Sequence, residues 1–426
     1  MRKLIFAVIT FLCSCNLYSQ QAWHTLFYGQ ALQYNCVYFI DANTGWIASS
    51  DIDGASPSSG SVMRTSNGGI TWTSENSGVS YRNLFFINNL TGWAVGDKYV
   101  FNGVSRYIFK TTNGGVDFTE QYSETGGTDK MVAVKFANAN TGYAISRSKI
   151  FKSTDSGISW ITQETTGGGF NTLCVMGSNA AAICSEYDSH FYTNDGGVNW
   201  NEYIQTDNNH FNTMFYYNMS VGWLGDRTGK ILSTFNGPGG YITFNNGFSN
   251  KNLFFVSQTL GWGTNDFATI SRTTNSGQNW SFLILPYPDM HFSSMFFLNS
   301  NTGWIVGKGT GQTGESKSII LRTTTSGVTF VNQTSNEIPD KFSLSQNYPN
   351  PFNPSTIINY QLAINSSVTL KIYDALGNEV QTLVNEKQNA GSYSADFNAA
   401  SLPSGIYFYK LVTEVFSETK KMILVK

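Results

Sequence analysis

An enzyme made from this chain would need one unique set of acids, bases or nucleophiles, yet its polar residues come in copies. Arg64, Arg272 and Arg322 share one place in a recurring phrase with Lys110 and Lys152. They read as the surface of a repeated unit rather than as a carboxylate-binding triad. Arg82, Arg106, Arg147 and Arg227 fall outside the phrase and are scattered, so they identify no clamp. Glu75, Glu120, Glu164 and Glu202 each follow the phrase within a few residues, again a repeated place. Hydrolysis of a glycosidic bond needs paired carboxyls, or a Tyr/Glu pair, across one pocket, and repetition gives no means of choosing one. No Gly-x-Ser-x-Gly, His-Glu-x-x-His or phosphate loop occurs. His24, His190, His210 and His291 share no metal-ligand spacing with Cys36, Cys174 or Cys184. Asp51-Ile52-Asp53-Gly54 opens like a calcium loop but lacks the later ligands. No catalytic residue, metal or cofactor is expected.

The phrase is written first as Arg64-Thr65-Ser66-Asn67-Gly68-Gly69-Ile70-Thr71-Trp72. It returns at 110–118, 152–160, 192–200, 272–280 and 322–330, with a worn copy near 233–244. Asn67, Asn113, Asp155, Asp195 and Asn275 carry short polar side chains suited to bonding backbone amides two residues on. The glycine after them supplies a positive-φ corner, and the closing aromatic anchors the next strand. That is a hairpin turn, and its copies are expected to be structural. A second signature keeps step with it: Gly45-Trp46, Gly92-Trp93, Gly142-Tyr143, Gly222-Trp223, Gly261-Trp262 and Gly303-Trp304, each behind a short apolar run. One repeat therefore reads as four strands. The interval from Tyr143 to Trp223 holds two repeats, because 173–185 has lost its Gly-Trp to Ala180-Ala181. Seven units with a period of about 40–45 residues predict an all-β, seven-bladed β-propeller, closed so that no sheet edge is left open. Trp23-His24-Thr25-Leu26 is expected to pair into the blade that ends the circuit, with 328–332 competing for that place.

The turn phrase resembles the Asp-box, the bacterial neuraminidase repeat of sialidase-like and photosystem II assembly-factor-like propellers. The resemblance implies the same fold and keeps a glycan-active enzyme as the alternative to a binding or scaffolding module. An assembly chaperone is a third reading, against which the export signals below argue.

Composition sets further bounds. Charged residues make up 13% and aromatics 15% of 426 positions, with 41 glycines, which suits an all-β repeat protein rather than a disordered one. The net charge of −2, with no basic run, gives nucleic acid no electrostatic footprint. Arg2-Lys3 before an apolar segment, 4–12, reads as a signal peptide spanning 1–19. Leu12-Cys13-Ser14-Cys15 resembles a lipoprotein box, with Cys13 a poor fit to it. No later stretch is long and apolar enough to span a membrane.

The propeller is expected over 20–336, a Pro-rich linker over 337–355, and a small β-sandwich over 356–426. Three of the nine prolines fall in 347–354, a break unsuited to a sheet interior. Short alternating strands follow, at 356–362, 368–373, 380–384, 391–397, 405–412 and 419–425. Tyr348-Pro349-Asn350-Pro351-Phe352-Asn353-Pro354, Ile372-Tyr373-Asp374-Ala375-Leu376-Gly377, Ala390-Gly391-Ser392-Tyr393, Ser404-Gly405-Ile406-Tyr407 and Lys420-Lys421-Met422-Ile423 occur in that order. They resemble the type A C-terminal sorting domain of the type IX secretion system. That resemblance implies the secretion machinery and a sortase as partners, export through the periplasm, and release or attachment at the outer cell surface.

Blades one, two and seven have the longest stretches between the Gly-aromatic pair and the closing aromatic, and in a ring seven adjoins one. The surplus lies at 49–61, 97–106 and 308–318, expected as loops between second and third strands on the face opposite the Asp-box turns. Asp51, Asp53, Asp97, Tyr99, Phe101, Arg106, Lys308 and Glu315 are the expected contacts for an unknown glycan or protein ligand. If the fourth unit's hairpin turns about Asn179, Cys174 and Cys184 stand opposite each other at about 4.5–5.5 Å. A disulfide is expected there in an exported chain.

Overall fold

Inner strands such as Met131–Phe136 alternate buried and half-buried positions on either side of a bulge, whereas second strands such as Gly45–Ser50 are buried throughout, and each repeat forms a four-stranded antiparallel sheet. The computed structural model describes residues 23–425 apart from 30–32, 51–59, 77, 102, 164–166, 188, 205–209, 239, 246–248, 266–267, 286, 288, 311–315, 328–330, 336–338 and 400–401. The leader, Asp51, Asp53 and Glu315 lie outside the described residues.

Seven four-stranded sheets occupy His24–Gly327. Blade one runs through Gln33–Phe39, Gly45–Ser50, Ser61–Thr65 and Thr73–Asn76, and blades two to six repeat this continuous order. Blade seven takes Met290–Phe297, Gly303–Thr310 and Ser316–Thr323 from the end of the circuit. Its outermost strand, His24–Gly29, comes from the beginning, with His24 opposite Arg322 and Tyr28 opposite Ile319. The competing segment goes elsewhere: Val331–Ser335 pairs with Gly391–Asn398, placing Val331 opposite Ala395. That strand, inside the span expected for the propeller, thus joins a sheet of the C-terminal unit. The inner strand of blade one packs against those of blades two and seven, so the ring is closed. The core is a series of wedges between neighbouring sheets, such as Trp46, Ala48, Leu84, Phe86 and Ala94 between blades one and two.

The C-terminal unit packs two four-stranded sheets. One orders Val331–Ser335, Gly391–Asn398, Ser355–Leu362 and Ser343–Leu344; the other Glu379–Gln388, Ser366–Tyr373, Gly405–Val412 and Ser417–Leu424. Their inner faces meet through Ile358, Tyr360, Leu370, Ile372, Tyr409, Leu411 and Met422, all fully buried. Among the described residues no helix is long and apolar enough to cross a membrane.

Candidate binding surface

Each Asp-box turn is held by its own side chains. Thr65 Oγ1 donates to Asn67 Oδ1 at 3.0 Å and accepts from the Gly69 N–H at 2.9 Å. Asn67 Oδ1 accepts from the Thr71 N–H at 2.9 Å. Asn113, Asp155, Asp195 and Asn275 repeat that last bond at 3.0, 2.9, 3.0 and 3.0 Å. The amide lies four residues on rather than the expected two. Two successive positive-φ residues, Gly68 at 73° and Gly69 at 94°, coil the chain tightly enough to return it. Glycine holds the first corner at Gly114 and Gly196 too, and serine holds it at Ser156, Ser276 and Ser326, at 66°, 63° and 66°. Hydrogen bonds, chiefly from Ser159 and from Asn199 respectively, keep the Asp155 and Asp195 carboxyls down to about 2. Such groups are poor proton donors near neutral pH.

The Gly-aromatic pair clasps one blade to the next. Trp46, Trp93, Trp223, Trp262 and Trp304 donate their indole N–H to Gly114, Ser156, Ser276, Ser326 and Gly68 carbonyls, in the following blade's turn, at 2.8–3.2 Å. They also stack on Phe86, Phe136, Phe255, Phe297 and Phe39 of the following inner strand, with centroids 3.5–3.6 Å apart. The preceding glycine is required because a Cβ on Gly45 would come 2.5 Å from the Phe39 ring. Lys110, Lys152 and Arg322 place their cations 5.4–5.6 Å over Trp93, Tyr143 and Trp304. Spread through the ring in this way, the phrase's basic residues form no triad.

Blade four loses the whole clasp, with Gly177 in the aromatic's place and Ala180-Ala181 in that of Gly-Trp. At its junction with blade five, the Tyr241 hydroxyl bonds the Tyr216 hydroxyl at 2.7 Å and His190 Nδ1 at 3.0 Å. His190 is fully buried, its Nε2 has no partner among the described residues, and burial holds its pKa down to about 3. The expected disulfide is corrected here. Cys174 faces Ala182, Cys184 faces Thr172, and both buried thiols are free. A turn centred between Ser178 and Asn179, with a bulge before Gly177, moves each partner two places from the expected one.

On the face opposite the Asp-box turns, two of the expected loops are ladders over their described residues. Gly92–Val100 and Gly103–Thr111 pair out to Val100 opposite Gly103, and in blade seven Thr310 pairs with Ser316. The surplus residues lengthen hairpins, because runs such as Tyr99-Val100 favour strand.

The expected contacts divide accordingly. Asp97 is wholly buried, accepting from Arg82 Nε at 2.9 Å and from the Met131 N–H of blade three at 2.9 Å. Burial pushes its carboxyl pKa up, against those two donors. Arg106 is buried too, opposite Asp97 on the ladder and forked between Asp129 and Glu124, the latter at 2.8 Å. Hydrogen bonds from Lys149, then from Arg106 and Tyr122, hold the Glu124 carboxyl down to about 2. Asp97 and Arg106 are therefore braces, not ligand contacts, because the lengthened ladder turns them inward. Lys308, half-buried, donates to Gln33 Oε1 at 2.9 Å. Tyr99, Val100 and Phe101 remain outward, 37%, 39% and 104% exposed. The Lys130 ammonium donates to the Tyr99 hydroxyl at 2.7 Å and lies 5.0 Å from its ring centroid. The hairpin is pinned where Val104 N–H donates to the Gly127 carbonyl at 3.0 Å and Gly126 N–H to the Val104 carbonyl at 3.2 Å.

One pattern escaped sequence reading. Ser50, Asp97, Arg147, Glu186, Arg227 and Lys308 occupy one place in successive repeats, just past the pairing at the inner strand's bulge, and Asp266, outside the described residues, falls at that place by sequence count. Glu186 of blade four is paired with Arg147 of blade three and lies 3.9 Å from Arg227 of blade five. Two of the scattered arginines thus converge, on a carboxylate of the protein itself. Counting from the Gly-aromatic pair, with one extra residue in blade four, is the signal that finds them.

No curated protein matches the chain significantly. Residues 346–426 match the family model for the secretion system C-terminal sorting domain. Among solved structures, "YCF48 bound to D1 peptide" aligns with a TM-score of 0.55 at 21% identity, over 71% of this chain and 97% of that one. YCF48 from Cyanidioschyzon merolae gives 0.56 at 14%, over 71% and 98%. PorZ, an essential bacterial surface component of the type-IX secretion system of Porphyromonas gingivalis, gives 0.51 at 12%, over 92% of this chain and 59% of that one. At these identities the likeness is one of fold. The chain is a seven-bladed β-propeller that carries a type IX C-terminal sorting domain, and that tail marks it for export to the outer cell surface or the medium.

Proposed function

We propose that the exported propeller is a non-catalytic binding module whose contact surface is led by the blade-two hairpin tip. The observation that carries this is Phe101, fully exposed at the end of a hairpin fixed by buried ion pairs. Aromatic anchors dominate interface energetics, and a pre-ordered hairpin avoids the entropy cost of ordering on binding. Segments 49–61 and 308–318 of the adjoining blades would extend the surface with Asp51, Asp53, Lys308 and Glu315, toward a glycan or protein ligand. The non-catalytic part is supported by the engagement of Asp97, Glu124, Asp129, Asp155, Asp195 and Glu186 in internal bonds. The full chain should be screened on glycan and surface-protein arrays, and the hit titrated against Phe101→Ser. The variant is expected to bind at least tenfold more weakly with an unchanged melting temperature. Equal binding would take the tip out of the site. Turnover of sialyl or plant-polysaccharide substrates would overturn the non-catalytic reading.

A further inference from the structure

The sorting unit turns two unlike faces to solvent. Outside the sheet of Ser355–Leu362 and Gly391–Asn398, the outward positions are mostly small and polar: Ser355, Asn359, Ser392 and Ser394, with Ile357 and Asp396. The other sheet differs. Along Gly405–Val412 the outward positions are Ile406, Phe408, Lys410 and Val412, with Ile406 45% exposed. Lys421 stands opposite Phe408. Lys371 stands directly opposite Lys410, a like-charge pairing that costs stability on an antiparallel ladder. Glu379 neutralises Lys371 at 2.8 Å, whereas Lys410 and Lys421 have no carboxylate partner among the described residues. Tyr373, Asp374, Leu376, Phe408 and Lys410 line one shallow depression, where Leu376 is 87% exposed and the Asp374 carboxylate accepts from the Leu376 and Asn378 amides of its own turn.

We propose that this face docks the sorting domain on a protein of the export apparatus, and that the docking partner presents an acidic group beside an apolar side chain. The proposal rests on the export reading of the tail. Lys410 and Lys421, with no counter-charge among the described residues, call for an anion, and the aromatic and aliphatic side chains beside Lys410 call for an apolar neighbour. A phosphate-bearing lipid would need the cations but not that floor, whereas a protein loop uses both.

The test uses the full chain in a bacterium with a type IX system, measuring the fraction that reaches the surface and medium. Lys410→Glu with Lys421→Glu, and separately Phe408→Ser, should lower that fraction at least tenfold. Lys410→Arg with Lys421→Arg, and Ser394→Glu on the other face, should export as the parent does. Melting temperatures of the purified variants separate lost docking from lost folding, and the surface lysine pair is expected to melt with the parent. The parent in a strain lacking the type IX system should stay in the periplasm. If it is still exported there, the export reading falls and the docking face with it. If it is retained there while the charge-reversed chain is exported normally, only the docking face falls. Normal export followed by loss from the cell surface would assign the face to an anionic lipid and overturn the protein partner.

Discussion

Gly157 shows how little freedom the Asp-box turn leaves. It sits at φ 78°, and an added Cβ would overlap Trp93 Nε1 and come 2.9 Å from Cδ1, beside the indole that donates to the Ser156 carbonyl. Gly157→Ala is expected to cost about 2–4 kcal/mol, from overpacking and from a backbone conformation an L residue resists. Ser156→Gly at the adjoining corner should shift stability by less than about 1 kcal/mol, since lost strain and gained chain entropy oppose each other. Denaturant midpoints of the two variants decide it, and equal small losses would mean that the turn yields. The turn was legible from sequence because Thr65, Asn67 and the glycines do local work. The clasp was not: Trp93 and Ser156 belong to different repeats, and their meeting depends on how neighbouring sheets pack.

At the level of whole strands, the blade-four junction is where the repeat was least readable and where its stability should respond to pH. His190 has a folded-state pKa of about 3, below the ordinary 6.5. Below pH 6.5 the unfolded chain takes up a proton that the folded one refuses, so stability falls between pH 6.5 and 3. One such group contributes a slope of up to about 1.4 kcal/mol per pH unit. Urea melts at pH 7, 6 and 5 should show a flatter profile for His190→Gln than for the parent, whatever its stability at pH 7. Parallel profiles would show that the buried imidazole is readily protonated. That window opens above the one in which Glu124 matters, since its depressed carboxyl gives up stability only as pH falls from the usual carboxylate range toward about 2, and the melts at pH 7, 6 and 5 stay clear of it. The cysteine register was misread because a single bulge moves every partner beyond it, and nothing in Met176-Gly177 announces one. The blade-two surplus was misread as loop because its count was visible and its pairing was not, although Tyr99-Val100 carried the strand preference.

Across the whole molecule, the sorting tail was legible because five motifs keep their order, and the ring because the repeat has a fixed period. The charges at its equivalent places became visible only on closure, where Glu186 meets Arg147 and lies near Arg227. Arg147→Glu should cost on the order of 0.5–1 kcal/mol, the scale of a part-exposed ion pair. For an isolated pair, adding Glu186→Arg would restore the attraction. Here the swapped base faces Arg227, so the double variant should recover less than half of the loss in a denaturant melt. Full recovery would mean that each pair stands alone. From Asp97 to Lys308 the signs run minus, plus, minus, plus, minus, plus by sequence, leaving Ser50 as the uncharged member between Lys308 and Asp97. Strict alternation closes only on an even count, and seven is odd, so one place must be neutral. The lineage of such a ring is therefore constrained by parity. Duplicating any charged blade alone would set two like charges side by side, whereas a second copy of blade one, or of two adjacent blades of opposite sign, would not.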